Sequence, residues 1–140
     1  MTTSYDELVG MAIDARKKAY APYSKFKVGA ALLCANGEII KGCNIENAAY
    51  GPTNCAERTA FFKAISEGIM EFKAIAIVGG NENEQDVFSD FAYPCGVCRQ
   101  VMREFCSDDF EIIVGRSVSD YNVYTLNELL PQGFGPENLI

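Results

Sequence analysis

Three cysteines open two helix-like segments, in Cys55-Ala-Glu57 and in Pro94-Cys95-Gly-Val-Cys98. The chain contains no histidine, so a transition-metal site here must be built from thiolates, or from thiolates and carboxylates. That requirement constrains the fold, because two distant helix ends must meet around one ion. Cys95 and Cys98 lie three residues apart at a helix start, so both thiols point from one face of its first turn. Cys55 opens the other helix. Helix N-termini carry partial positive charge and unpaired N–H groups, which stabilise thiolates and lower their pKa. Two such ends facing each other across an intervening strand form a pocket shaped for a cation.

Three protein ligands leave the fourth tetrahedral position to water, which separates a catalytic zinc site from a closed structural one. A closed site needs a fourth ligand, and Cys106 is the nearest in sequence. Eight residues beyond Cys98 on a helix, it lies ~12 Å away, too far to share the ion. The hairpin register gives no reason for Cys34 or Cys43 to approach. Zn2+ with three thiolates has a formal charge of −1, which weakens its power to acidify bound water. Arg58, one turn into the first helix, is placed to donate hydrogen bonds to ligand sulfurs and offset that charge; a surface ion pair is its plainer role. Glu57 can face the metal only if Cys55 lies at the irregular end, since positions i and i+2 of a regular helix diverge. A carboxylate over the open metal position can take a proton from water and return it to a leaving group. A thioredoxin-like redox pair at Cys95 and Cys98 is the alternative, but it leaves Cys55-Ala-Glu57 without a role.

Around these motifs the pattern predicts an α/β chain. Ser4-Tyr-Asp-Glu7 reads as a capping box, and Leu8, Val9, Ala12, Ile13 and Ala19 follow at helical spacing as far as Ala21-Pro22-Tyr23. Residues 27–34 and 39–44 read as strands around an Asn36-Gly37 two-residue turn, with Cys34 opposite Ile39 and Cys43 opposite Ala30. In that register the Cys34 and Cys43 sulfurs are ~13 Å apart along the strands, beyond the ~7 Å reach of a disulfide. A polar loop ends in an N-cap at Asn54, and a helix runs from about Cys55 to Glu67, stopping at Gly68. Phe72 to Val78 suits a fully buried strand, with Gly79-Gly80 as a turn at its end. An acidic loop leads to Pro94, which opens a second helix reaching about Cys106. Residues 110–115 and 121–125 read as strands, and Thr125-Leu-Asn-Glu128 as a capping box starting a short helix. The expectation is one domain over residues 1–140, a three-layer α-β-α sandwich around a mixed five-stranded sheet.

Composition limits the partners. The net charge is −7, and no basic run exceeds Arg16-Lys17-Lys18, so long nucleic acids are not expected to bind. No apolar run approaches the ~20 residues that span a bilayer, and the first residues lack the basic and apolar regions of a secretory signal. The expected partner is a small molecule, and the expected location is the cytoplasm.

Several stretches together resemble the small, zinc-dependent, homotetrameric cytidine deaminases over nearly the full length. They are Phe26-Lys-Val-Gly-Ala-Ala, Gly42-Cys-Asn44-Ile-Glu46-Asn-Ala-Ala-Tyr50, Asn54-Cys55-Ala-Glu57-Arg58-Thr-Ala, Pro94-Cys95-Gly-Val-Cys98-Arg99-Gln100, and Leu129-Leu-Pro131 with Phe134. The two metal motifs match the all-cysteine variant of the zinc-deaminase signature. The resemblance implies hydrolytic deamination of cytidine or deoxycytidine to uridine or deoxyuridine in pyrimidine salvage. It implies one zinc per subunit on Cys55, Cys95 and Cys98, and proton transfer by Glu57 to N3 and then to the departing amine. It further implies that Phe26 packs against the base, that Asn44 and Glu46 bind the ribose hydroxyls, and that Ala56 contacts substrate. Ala48, Tyr50 and Phe134 would complete the site of a neighbouring subunit. Without the resemblance, Phe26 reads as core packing and Asn44 and Glu46 as turn caps. Two features depart from the family pattern: a longer, more acidic loop over residues 80–93, and Tyr93 before the metal-site proline, where it can alter one pocket wall. The rival reading is a deaminase of an aminonucleoside antibiotic of the blasticidin type, which shares the zinc motifs.

Overall fold

The computed structural model describes residues 3–140. Five strands form one sheet, β1 (Phe26–Cys34), β2 (Ile39–Cys43), β3 (Phe72–Asn81), β4 (Glu111–Ser117) and β5 (Asp120–Thr125), in the order β2-β1-β3-β4-β5. β3 and β4 are parallel and the other neighbours antiparallel, so the sheet is mixed as expected. The helices are α1 (Tyr5–Arg16), α2 (Ala56–Ser66), α3 (Gly96–Phe105) and the short α4 (Leu126–Leu129), with a 3-10 turn at Pro136–Asn138. A parallel pair needs a crossover connection, and α3 supplies it between β3 and β4.

Strand side chains alternate between faces, so the apolar runs of β1, β3 and β4 feed two separate cores. Ala31, Leu33, Ala76, Val78 and Ile113 pack against Leu8, Val9, Ala12 and Ile13 of α1. On the other face, Ala30, Leu32, Ile75, Ile77, Ile112 and Val114 pack against Ala56, Ala60, Phe61 and Ala64 of α2, Met102 of α3 and Leu126 of α4. The result is the expected three-layer arrangement, one helix on one face and three on the other. Among the described residues, no helix is long and apolar enough to cross a membrane.

The connectivity puts the two cysteine-bearing helix ends in one place. β1 starts beside the end of β3, with Phe26 paired to Asn81, and β2 ends beside the start of β1, with Cys43 paired to Gly29. The chain leaves β2 and β3 at this same sheet end and enters α2 and α3 there. Gly42 then sets how closely α2 approaches. A Cβ at this position would lie 2.5 Å from the Ala56 carbonyl oxygen and 2.6 Å from the Ala60 nitrogen, both backbone atoms. Gly42→Ala must therefore push the first turn of α2 off the sheet, and we expect destabilisation of about 1–3 kcal/mol. Thermal unfolding checks this, and an unchanged midpoint would contradict the contact.

Several sequence expectations need correction. The hairpin pairs Leu33 with Ile39 and Gly29 with Cys43, one residue away from the expected register. Gly37 N–H donates to the Cys34 carbonyl, Cys34 N–H donates to the Glu38 carbonyl, and Gly37 has φ +92°. This is a three-residue loop with its glycine in the left-handed region, not a two-residue turn. Cys34 and Cys43 remain free thiols, as expected. α1 ends at Arg16 with Lys17 as C-cap, short of Ala21-Pro22-Tyr23. Gly79 and Gly80 lie within β3, where they pair with Val28 and Lys27. Cys55, not Asn54, is the N-cap of α2; Asn54 instead exchanges backbone hydrogen bonds with Ile45. Pro94 lies outside α3, whose N-cap is Cys95. At α1, the Ser4 hydroxyl accepts from Glu7 N–H, while the Thr125–Glu128 pair makes the full reciprocal capping box.

Candidate metal centre

Both N-cap positions are cysteines in extended backbone, Cys55 at φ −78°, ψ 157° and Cys95 at φ −69°, ψ 168°. The irregular end expected for Cys55 is present, and Glu57 falls in the first turn of α2. Cys98 sits in the first turn of α3 and is buried, and its backbone N–H reaches the Cys95 Sγ at 3.4 Å. The Sγ atoms of Cys55, Cys95 and Cys98 all lie within 4.8 Å of one another, with 3.8 Å between Cys55 and Cys95 and 3.4 Å between Cys95 and Cys98. Tetrahedral zinc with Zn–S bonds near 2.3 Å spaces its sulfurs about 3.8 Å apart. The triad therefore fits one zinc ion with little adjustment. Among the described residues, the cluster includes neither Cys34, Cys43 nor Cys106, so no fourth sulfur closes it.

The electrostatics follow from packing three thiols together. Cys55 and Cys98 are shifted in opposite directions. Hydrogen bonding from the Cys98 thiol, joined by Arg58, lowers Cys55 to about 5 against the cost of its burial. Cys98 is correspondingly pushed up, first by its hydrogen bond to Cys55 and then by burial. Arg58 Nη2 donates to the Cys55 Sγ at 3.2 Å, the contact expected of a charge-offsetting residue. The Arg58 Nε is buried and has no acceptor among the described residues. Glu57 is only 4% exposed, and burial pushes its carboxyl up to about 7. A carboxyl with that pKa exchanges protons readily near neutral pH.

Cys55, Ala56, Glu57 and Cys95 line one cavity of about 340 Å³ with Phe26 and Asn44. The structure thus brings together six of the residues singled out from sequence, and Cys98 lies against them through the sulfur cluster. Asn44 is buried and its amide is engaged: Oδ1 accepts from Val28 N–H at 2.8 Å and Nδ2 donates to the Phe26 carbonyl at 2.9 Å. It ties the start of β1 across the sheet and does not cap a local turn, and one lone pair and one N–H stay available. Glu46 is held likewise, accepting from Tyr23 N–H at 3.0 Å, Ser24 N–H at 3.1 Å and the Ser24 hydroxyl. It lines a neighbouring groove with Tyr50 and not the metal cavity. Ala48, Tyr50 and Phe134 are exposed and outside the metal cavity within this chain.

Sequence reasoning missed Arg16. It is buried, with Nε donating to the Lys27 carbonyl and Nη2 to the Gly80 and Asn81 carbonyls, and it stacks 4.6 Å from the Phe88 ring. The signal was present: Arg16 stands three and four residues after Ile13 and Ala12, on the apolar face of α1. It ties the acidic loop to the sheet. The far end of that loop brings Ala92 and Tyr93 into the cavity wall, as expected for Tyr93.

Comparison with known proteins agrees with this site. The family model described as the cytidine and deoxycytidylate deaminase zinc-binding region matches residues 2–114. A cytidine deaminase of Sporosarcina psychrophila is 48% identical over 134 residues, covering 96% of this chain and 93% of that protein. A blasticidin-S deaminase of Bacillus cereus is more distant, at 34% identity over 128 residues, 89% of this chain and 88% of that one. The crystal structure of cytidine deaminase from Burkholderia pseudomallei superposes with a TM-score of 0.85 at 45% identity, covering 94% of this chain and all of that one. With a thiolate triad spaced for one zinc and this match across most of its length, the chain belongs to the cytidine and deoxycytidylate deaminase zinc-binding family.

Proposed function

We propose that this protein is a zinc-dependent cytidine deaminase, converting cytidine or deoxycytidine and water into uridine or deoxyuridine and ammonia. The observation that carries the reading is the three-sulfur cluster beside buried Glu57 in one cavity. Cys55, Cys95 and Cys98 would hold the zinc. When bound, zinc would supply a Lewis acid that makes water nucleophilic near neutral pH. Glu57 moves both protons of the attacking water in turn, taking the first to N3 and then the second, from the C4 hydroxyl so formed, to the departing amine. Its depth in the cavity keeps bulk water from competing for those protons. Arg58 offsets the charge of the thiolates through its bond to Cys55. Phe26 offers a ring against which the base packs, and Ala56 lies beside it at the helix end.

Asn44 and Glu46 bind the ribose hydroxyls with the hydrogen-bonding capacity their backbone contacts leave free. In this reading Ala48, Tyr50 and Phe134 serve a neighbouring subunit's cavity in a homotetramer, which accounts for a tyrosine left 84% exposed. The chain works as one domain over residues 1–140, in the cytoplasm, on free nucleosides in pyrimidine salvage and without nucleic-acid partners. The higher identity to the cytidine deaminase favours a nucleoside over a blasticidin-type antibiotic.

Deamination followed by ultraviolet absorbance tests the reading directly, using cytidine, deoxycytidine, their monophosphates and blasticidin S. We expect turnover of the two nucleosides well above that of the others. Preferred turnover of the antibiotic would reverse the assignment.

A further inference from the structure

We propose that Tyr93 decides which pyrimidines enter the cavity, by walling off the C5 edge of the base against bulky substituents. The proposal rests on the cytidine deaminase reading, because that chemistry fixes how the base lies. C4 must sit at the metal centre, and Glu57 must reach N3, the ring nitrogen bonded to C4. Ala56 and Glu57 enter the cavity from the first turn of α2, so the N3 edge faces that helix. The other ring atom bonded to C4 is C5, which faces the opposite way. Outside α2, the segment that leads into α3 contributes Ala92, Tyr93 and Cys95 to the cavity wall, and Tyr93 is the large side chain among them.

The Tyr93 ring is braced in place. It packs edge-on against Tyr124 with centroids 5.9 Å apart and against Phe91 at 6.3 Å. Its hydroxyl lies 3.3 Å from the Tyr124 hydroxyl, within hydrogen-bonding reach. Pro94 follows directly and restricts the Tyr93 backbone to extended conformations. The cavity, at about 340 Å³, is small among ligand pockets, which span roughly 300–1,000 Å³. A ring packed against two aromatic neighbours at the wall of a small cavity discriminates by size.

The test compares kcat/KM for cytidine and 5-propynylcytidine in the native zinc enzyme and in Tyr93→Ala and Tyr93→Phe. We expect the ratio of bulky to plain substrate to rise by about tenfold or more in Tyr93→Ala, and to stay at its native value in Tyr93→Phe, which keeps the ring. An unchanged ratio in a Tyr93→Ala protein that still turns over cytidine overturns the proposal. Native enzyme inert toward cytidine overturns the deaminase reading instead. Should Tyr93→Ala fold poorly, Tyr124→Ala removes the brace from outside the cavity; a raised ratio there supports the proposal and an unchanged one counts against it.

Discussion

Glu57→Gln is expected to lower kcat for cytidine by about 10²–10⁴-fold while zinc stays bound. The carboxyl is buried beside the thiolate cluster, and burial holds its pKa near 7. Glutamine keeps the shape and the hydrogen-bonding reach but cannot pick up and release a proton. Because one group serves both N3 and the leaving amine, its loss affects two proton transfers, and the upper part of that range is expected. The same burial gives the variant an opposite effect on stability. A carboxyl raised from 4.5 to about 7 on folding is paid for in stability as pH rises through that window, and the cost is absent below 4.5. In metal-free protein, Glu57→Gln should therefore gain stability relative to native protein between pH 5 and 8. Steady-state kinetics with zinc analysis, and melting curves across pH, check the two halves. Near-native turnover in a zinc-replete Glu57→Gln protein would remove Glu57 from the mechanism.

Cys98→Ala is expected to lose both zinc and activity while keeping the fold. Cys98 is the most buried of the three sulfur residues, and its Sγ lies 3.4 Å from that of Cys95. Two thiolates with N-cap geometry are left, too few to hold zinc in an open site. The loss of affinity should exceed the 10–100-fold that removing an outer-shell partner costs. The sheet should survive, because both apolar cores form between helices and strands without help from the cluster. Far-ultraviolet circular dichroism should stay near native while dialysed protein contains no zinc. Chelated native protein should behave the same way and recover with added zinc. Full zinc occupancy in Cys98→Ala would contradict the ligand set.

The parts of the fold legible in sequence are those set by local chemistry. The Ser4 and Thr125 caps, the uninterrupted run from Phe72 and the Cys-rich helix starts each stand where their own residues put them. What sequence missed was decided by partners distant in the chain. Asn36-Gly37 suits a two-residue turn as well as a three-residue loop with a left-handed glycine, and the sheet chose the second. Gly79 and Gly80 read as punctuation, yet β1 supplies partners that extend β3 through them. The metal site was legible because one ion dictates residue type, spacing and helix position together. The nucleoside contacts were less so. Asn44 and Glu46 give much of their hydrogen-bonding capacity to nearby backbone, which their identity alone does not reveal. Arg16 went unread because a basic run looks solvated until the helix phase is applied to it.

Catalysis by Glu57 requires a metal centre with three sulfur ligands and an opening. X-ray absorption at the zinc edge of the resting, substrate-free enzyme tests that most directly. Three sulfurs near 2.3 Å with one oxygen or nitrogen, at one zinc per chain, is the predicted shell. Four sulfurs around the zinc would make the site structural and leave Glu57 with nothing to act upon.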